Sequence, residues 1–575
     1  ELDGQAQAGQ SSWQAASARF ALLTALCIPN PTGFVAGRQL WVLAALFDQA
    51  VISKETSMAR AGRKGRGGGR AGAAERRGAA VIEQMPWSIP KNIDRPIEPL
   101  NEEGVLAIHE GAMRILEEIG IEILNAEALE VFREAGATIK DTNVRVGRDW
   151  IMEMIGKAPS SFTITPRNPE REITIGDNNI VFGNVSSPPS YWTMETGRKM
   201  TGTREMCKDF IKLSQYFNCI HFCGGYPVEP QDVHASIRHL DVVFDKLTLT
   251  DKVVHTYCLG KERVEDNMEM VRIAGGLTHE EFEAKPRMYS NINSTSPLKH
   301  DEPMLDGWMR LARRNQGLVV TPFTLAGAMA PVTMAGAVAQ SLAEGLIAVA
   351  LAQYIRPGAS CVIGTFTSNV DMKSGAPAFG TPEYMRATQM TGQLARFYGL
   401  PMRSSGVCAA NVPDGQAIWE TSNSLWSAVH SGTNMVYHAA GWLEGGLIAS
   451  PEKFVMDCEI LQHIQRYMDP KITATTPDDI ALDAIAEVGG QGHFFGLQHT
   501  QDRYETAFYQ PFLSDWRNFE AWDAAGAVWT PERAHHMYKE IIASFEAPPM
   551  DEAIREELAA FVARRKDEGG APTDF

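Results

Sequence analysis

The chain has 575 residues, 44% of them hydrophobic and 21% charged, enough to bury a large core around one dominant domain with terminal elaborations. A net charge of −17 argues against nucleic acid as the substrate. Eight cysteines occur without a single Cys-x-x-Cys pair, which argues against a zinc ribbon or disulfide framework and fits a reducing cytoplasm.

The first residues are unlike the rest. Residues 1–80 carry ten Lys/Arg against five Asp/Glu, and Arg60 to Arg77 is a Gly/Arg tract too charged and glycine-rich to pack. The apolar stretch Phe20 to Cys27 is too short for a convincing secretory signal. We read 1–85 as a disordered or non-native basic leader with Met58 as the natural start. A basic arm that touches RNA or a membrane is the alternative.

Residues 86–178 read as an N-terminal helical and small β elaboration. Val105, Ile108, Ala112, Ile115 and Ile119 share one face of a helix between an Asn101 cap and a Gly120 stop, and a second helix is predicted over Ala126–Ala135. Alternation in Phe162–Thr165 and Arg171–Ile175 predicts small antiparallel strands decorating the barrel entrance.

From 179 to 470 one unit repeats: a short apolar run, a polar turn, then a helix-like stretch. The eight runs are Asn179–Gly183, Cys219–Cys223, Val253–Cys258, Arg287–Ile292, Leu318–Phe323, Ser360–Phe366, Pro401–Cys408 and Thr433–His438. Their spacing suits a strand plus crossover helix and is too long for hairpins, so the fold class is α/β, a (β/α)8 TIM barrel. Thr381-Pro382-Glu383, Ser450-Pro451-Glu452 and Thr530-Pro531-Glu532 each read as a hydroxyl cap, a proline at the first helical position and an acid in the first turn. The apolar stretch Met329 to Ile355 contains Gln340, Ser341, Glu344 and Gln353, and reads as a buried barrel helix rather than a membrane span. Residues 471–575 form a C-terminal helical extension whose last helix, Asp551 to Arg565, reads as an amphipathic clamp or an oligomer contact.

In such barrels the chemistry sits at the carboxyl ends of the strands. The rings found there include Tyr191, Trp192, Tyr226, Tyr257, Phe323, Phe366, Tyr437 and Trp442, and ionisable groups are few. Aromatic faces with sparse charge suit a quaternary ammonium, which is drawn to ring faces and donates no hydrogen bond. For any one ring, filling the barrel end is the simpler role. No phosphate-loop motif is present, so nucleotide cofactors are not indicated. Cys223, Cys258 and Cys408 with His255 or His438 could supply a zinc site, but buried core cysteines explain them more simply, and no metal is assigned.

Four segments in matching order, Ser294-Thr295-Ser296-Pro297-Leu298, Asp371 to Glu383, Val412 to Ala417 and Gly489 to Thr500, resemble the trimethylamine methyltransferase family from about Leu100 to Asp551. The resemblance implies a barrel that moves a methyl group from a methylated amine to the Co(I) of a separate corrinoid protein. The corrinoid is carried by that partner, and none is expected tightly bound to this chain. Archaeal trimethylamine enzymes of the family carry pyrrolysine, whereas this chain has only standard residues and is similar to the branch of glycine betaine methyltransferase. The expected donor is therefore glycine betaine, then trimethylamine. His438, Asn369 and Asp371 are expected to orient its polar end, with Asn293 as a further carboxylate partner. Tyr191, Trp192, Tyr226, Phe323, Phe366 and Trp442 are expected to form the cage. Direct transfer to tetrahydrofolate, using Asp371 or Glu444 against the pterin, and non-catalytic betaine binding are the competing readings. A cytoplasmic homo-oligomer is expected.

Overall fold

The computed structural model describes residues 82–490 and 492–573. The readings on the Gly/Arg tract, the stretch at Phe20 and the start at Met58 lie outside the described residues. Ile82 to Met85, assigned above to the leader, belong to the folded body. The Ile82 amide donates to the Tyr216 hydroxyl (3.0 Å) and the Met85 amide to Gln462 Oε1 (2.8 Å).

Eight strands, β1 (Val181–Asn184), β2 (Phe222–Cys223), β3 (Val253–Tyr257), β4 (Tyr289–Ile292), β5 (Gly317–Val320), β6 (Cys361–Gly364), β7 (Met402–Ser405) and β8 (Met435–Ala440), close into a barrel in sequence order. All eight junctions are parallel, including β8 to β1. Each strand falls on one of the eight apolar runs. Each is followed by a helix: α1 (Arg204–Tyr216), α2 (Ala235–Leu249), α3 (Lys261–Ala274), α4 (Glu302–Arg313), α5 (Met334–Ile355), α6 (Pro382–Phe397), α7 (Gly415–Ser431) and α8 (Pro451–Tyr467).

The helix starts follow local chemistry. Thr381 Oγ1 and Ser450 Oγ accept the amides of Tyr384 and Lys453, as the Thr/Ser-Pro-Glu pattern dictates. At Thr530 the pattern shifts by one. The helix Thr530–Ala543 begins at the threonine itself, and Glu532 accepts from the amide of the Trp529 cap (3.0 Å). Helix α5 is apolar on every side because it lies between the barrel and two N-terminal helices, Glu102–Arg114 and Arg148–Ile155. It is long and apolar enough to cross a membrane, but its residues from Ala337 to Gln353 are buried in protein.

Two expectations for the N-terminal elaboration are corrected. The helix capped by Asn101 runs from Glu102 to Arg114 and continues as a π turn, Ile115–Ile119. The extra residue per turn rotates the face, so Leu116 is buried and Ile119 stands 57% exposed. The hairpin Ser161–Ile164 with Ile173–Gly176 does form, but it closes the floor of the barrel rather than the entrance: Ile164, Ile173 and Ile175 pack with Val181, Phe222, Val253 and Val319. The entrance carries two other small sheets, one built on Ser190–Trp192, Lys199–Thr201, Trp442–Leu443 and Ile448–Ala449, the other on Leu325–Ala326, Ser368–Val370 and Pro377–Ala378.

The terminal helix Glu552–Asp567 packs onto its own barrel, as the first of its two expected roles requires. Leu558 and Val562 are buried, Arg565 Nε donates to Asp266 on α3 (2.6 Å) and Lys566 Nζ to Asp241 on α2 (2.5 Å).

Candidate active site

Alternate residues of each barrel strand face inward. Above the apolar floor the inward positions become polar and aromatic: His255 on β3, Tyr289 on β4, Arg403 on β7 and Tyr437 on β8. The Arg403 guanidinium lies 4.4 Å from the Tyr437 ring centroid and 5.2 Å from that of Phe366. Space for it comes from Gly364 on β6. A Cβ there would stand 3.0 Å from Arg403 Cδ and 2.6 Å from Thr321 Oγ1.

Arg403 is 3% exposed, and among the described residues no carboxylate pairs with it. Its donors are poorly used. Nη1 reaches the Thr365 carbonyl at 3.4 Å, Nη2 faces His438 Nε2 at 3.3 Å, and Nε has no acceptor. Burial pushes its pKa down to about 10, which still leaves it cationic at neutral pH. Around it, both ring nitrogens of His255 and the hydroxyls of Tyr289 and Tyr437 are buried without a hydrogen-bond partner. Unsatisfied polar groups gathered about an uncompensated cation have the chemistry that a small anion would satisfy.

His438 is positioned by a backbone irregularity. The register of β8 against β1 shifts between Val436 and Ala440, and His438 sits in this bulge at φ +52°. The bulge turns the ring so that Nδ1 accepts the Ser186 amide (3.2 Å). Burial, then the charge of Arg403, hold His438 well below the usual histidine pKa, so the ring is neutral. With Nδ1 accepting, its proton is on Nε2 and points at the guanidinium. Two donors then face each other at 3.3 Å, and an acceptor oxygen lying beside the pair, within hydrogen-bond reach of each nitrogen, would satisfy both.

Rings line the space above this pair. Trp442 lies 4.2 Å from His438 by centroids and Phe366 5.9 Å, while Phe323 and Phe379 stack on Phe366 at 5.2 and 5.3 Å. Trp442 is fixed by Nε1 donating to the Cys408 carbonyl (3.2 Å). On the β1–β3 side Tyr226 stacks edge-on against Tyr257 at 4.4 Å, and Ser187 hydrogen-bonds the Tyr257 hydroxyl. The mouth thus brings together His438, Phe366, Phe323 and Trp442 on one side, with Tyr226 across the loop after β1. Tyr191 and Trp192 are half-buried in the entrance sheet and pack on the same hydrophobic cluster.

The remaining sequence candidates are engaged elsewhere. Asn369 accepts from the Thr381 hydroxyl (3.1 Å) and donates to the Val370 carbonyl. Asp371 is exposed and folds its own turn, accepting from the amides of Lys373 and Ser374 and from the Ser374 hydroxyl (2.6 Å). Asn293 is exposed and accepts from the Asn291 amide group (3.0 Å). The Ser294–Leu298 motif has a structural role: the buried Glu344 of α5 accepts from the hydroxyls of Ser294 and Ser296, the Leu298 amide and Gln340. Cys258 and Cys408 donate to the carbonyls of Met304 and Trp442, and among the described residues no three His, Cys, Asp or Glu come together to hold a metal.

Sequence reasoning missed Arg403 and Tyr289, and weighed His255 only as a zinc ligand. A signal existed, since Arg403 is a lone charge inside an otherwise uncharged strand run.

Comparison with known proteins places the chain in a family. The family model for trimethylamine methyltransferase (MTTB) matches residues 66–570. A glycine betaine methyltransferase of Desulfitobacterium hafniense (strain Y51) is 37% identical over 472 residues, 82% of this chain and 98% of the relative. The trimethylamine methyltransferase MttB of D. hafniense (strain DSM 10664 / DCB-2) is 28% identical over 483 residues, 82% of this chain and 94% of the relative. Among solved structures, the monomethylamine methyltransferase MtmB of Methanosarcina barkeri aligns with a TM-score of 0.43 at 12% identity, covering 82% of this chain and 96% of that one. The chain belongs to the trimethylamine methyltransferase family.

Proposed function

We propose that this protein transfers a methyl group from glycine betaine to the Co(I) of a separate corrinoid protein. The observation that carries the choice of donor is the buried, carboxylate-free Arg403 with His438 Nε2–H opposed to it at 3.3 Å. Glycine betaine ends in a carboxylate on a short stem from a quaternary nitrogen. Its carboxylate bridges Arg403 and His438, and its trimethylammonium lies against Phe366 and Trp442, with the methyl groups toward the open end of the barrel. Trimethylamine offers nothing to Arg403.

The residues present suit the reaction. The departing dimethylglycine nitrogen leaves neutral, so no general acid is needed, and the neutral His438 and buried tyrosines supply none. The rings exclude water, and the anchored carboxylate holds one N–CH3 bond toward the mouth. The acceptor supplies the nucleophile. We assign its carrier to the loops after β5 to β8, a reading supported by the apolar Val332, Met372, Val412 and Leu447, which stand 72%, 73%, 39% and 49% exposed. Direct transfer to folate loses its support, because Asp371 is folded into its own turn and Glu444 pairs with Lys199 at 2.5 Å.

An anaerobic assay with a reduced corrinoid protein, offering glycine betaine, trimethylamine, proline betaine and carnitine separately, tests the proposal. Methylation by glycine betaine supports it. Methylation by trimethylamine alone overturns the choice of donor, and none from any donor overturns the acceptor.

A further inference from the structure

The stretch of chain that carries His438 and Trp442 is strained. His438 at φ +52° and Glu444 at φ +46° are left-handed non-glycine positions, and Gly441 between them is at φ +94°. Such residues are costly and persist only where the surrounding structure over-determines them. Trp442 is fixed from the loop after β7: its Nε1 donates to the Cys408 carbonyl (3.2 Å) and its own carbonyl accepts from the Cys408 thiol (3.0 Å). Gly441, the link between the two rings, is fixed from α8. The Ser450 amide donates to the Gly441 carbonyl (3.1 Å), and the Gly441 amide donates to Asp457 Oδ2 (2.8 Å). The approach is close, since a Cβ on Gly441 would stand 3.1 Å from Phe210 and 3.2 Å from Phe454.

Asp457 is a costly acceptor for this place. The same helix packs Phe454, Leu461 and Ile464 into the apolar cluster of the barrel. Asp457 sits on it with Lys453 one turn earlier, their side chains 1% and 0% exposed, and no other ion pair among the described residues is as buried. Lys453 Nζ donates to Asp457 and to the Thr421 hydroxyl on α7 (2.8 Å). A fully buried pair adds little to stability over apolar residues of the same volume, because desolvating two charges offsets their attraction. It does supply an acceptor of fixed position and roughly doubled strength for one amide.

We propose that Asp457 is a positioning residue for the quaternary-ammonium end of the site: its carboxylate, neutralised by Lys453, fixes Gly441 and through it the angle between His438 and Trp442, whose ring centroids lie 4.2 Å apart. The proposal rests on the reading of Trp442 and Phe366 as a cage. A ring face attracts a cation only at close range, so a small rotation of Trp442 weakens that contact while Arg403, on β7, keeps its hold on a carboxylate. Because Lys453 is also pinned by Thr421, the ends of α7 and α8 hold the chain after β8 as one unit.

Asp457→Asn alone strands Lys453 as a buried unpaired charge and threatens the fold, so two double variants are compared. Lys453→Met/Asp457→Asn removes both charges and keeps an acceptor for the Gly441 amide. Lys453→Met/Asp457→Leu removes the acceptor as well, with a side chain of the same branched shape. Hydrogen exchange of the free protein, read by mass spectrometry, reports the backbone after β8, and calorimetry with tetramethylammonium and glycine betaine reports the cage. The leucine variant is expected to exchange about 10- to 100-fold faster over 438–446 alone. It is expected to bind both ligands about 3- to 30-fold more weakly. The asparagine variant is expected to stay within about threefold of the wild type in both measurements. Equal behaviour of the two variants, or a lowered unfolding midpoint with exchange over 438–446 and affinity unchanged, would overturn the proposal. Exchange needs no ligand, so a wild type that takes neither compound strikes the proposed donor, while exchange alone still decides the role of Asp457.

Discussion

Replacing Arg403 by methionine separates binding from folding. In the free protein the guanidinium is buried without a carboxylate, and the fall of its pKa to about 10 corresponds to roughly 3 kcal/mol of unfavourable burial. Its stacking on Tyr437 and Phe366 returns about 0.5–2 kcal/mol per contact. Methionine fills similar space without the charge, so the unliganded variant is expected to be as stable as the wild type or up to about 2 kcal/mol more stable. Binding moves the other way. Losing one member of a buried, hydrogen-bonded charge pair costs about 2–5 kcal/mol, so affinity for glycine betaine falls about 30-fold to several thousand-fold. Arg403→Lys keeps the charge without the fork and is expected to fall between. Denaturant unfolding gives the first quantity, and calorimetry with glycine betaine against choline, which lacks the carboxylate, gives the second. A variant destabilised by several kcal/mol, or one that loses choline and betaine binding equally, would refute the reasoning.

Gly364→Ala places a Cβ 3.0 Å from Arg403 Cδ and 2.6 Å from Thr321 Oγ1, so betaine affinity should drop at least tenfold while the barrel still folds, by calorimetry and circular dichroism. Trp442→Ala should weaken binding of the quaternary nitrogen by about 1–2 kcal/mol and cost about 3–5 kcal/mol of stability, with Trp442→Phe recovering most of both. His221 is buried, accepts the Phe182 amide at 3.0 Å, and is held by burial at a pKa of about 3. The unfolded chain takes up this proton below about pH 6.5 while the folded one does not, so stability is lost as pH falls from about 6.5 toward 3. His221→Gln should remove about one proton from the pH slope of the urea midpoint over that window. Because binding needs cationic Arg403, betaine affinity should stay flat through neutral pH and fall as pH rises past about 10.

The barrel was legible because each strand is a short apolar run and most of its helices begin with a side-chain cap, signals that tertiary packing reinforces. The π turn was not, since the apolar residues of its helix also fit an unbroken 3.6-residue period; packing alone decides that Leu116 turns in and Ile119 turns out. At the site, strand-end position located His438, Phe366 and Trp442, which all meet. The same rule chose Asn369, Asp371 and Asn293, but position does not say what a side chain bonds to, and each is committed to its own loop. Arg403 lay inside a strand, where only the charge itself marked it. The orientation of His438 comes from a bulge between strands far apart in the chain, which no local pattern encodes.

The most direct test of the account is methyl transfer itself, followed anaerobically by absorbance with a reduced corrinoid protein and glycine betaine as donor. The account predicts methyl-cobalt and dimethylglycine in equal amounts with the wild type, and little of either with Arg403→Met under the same donor concentration. Undiminished transfer by Arg403→Met, or transfer by the wild type from trimethylamine but not from glycine betaine, would contradict it.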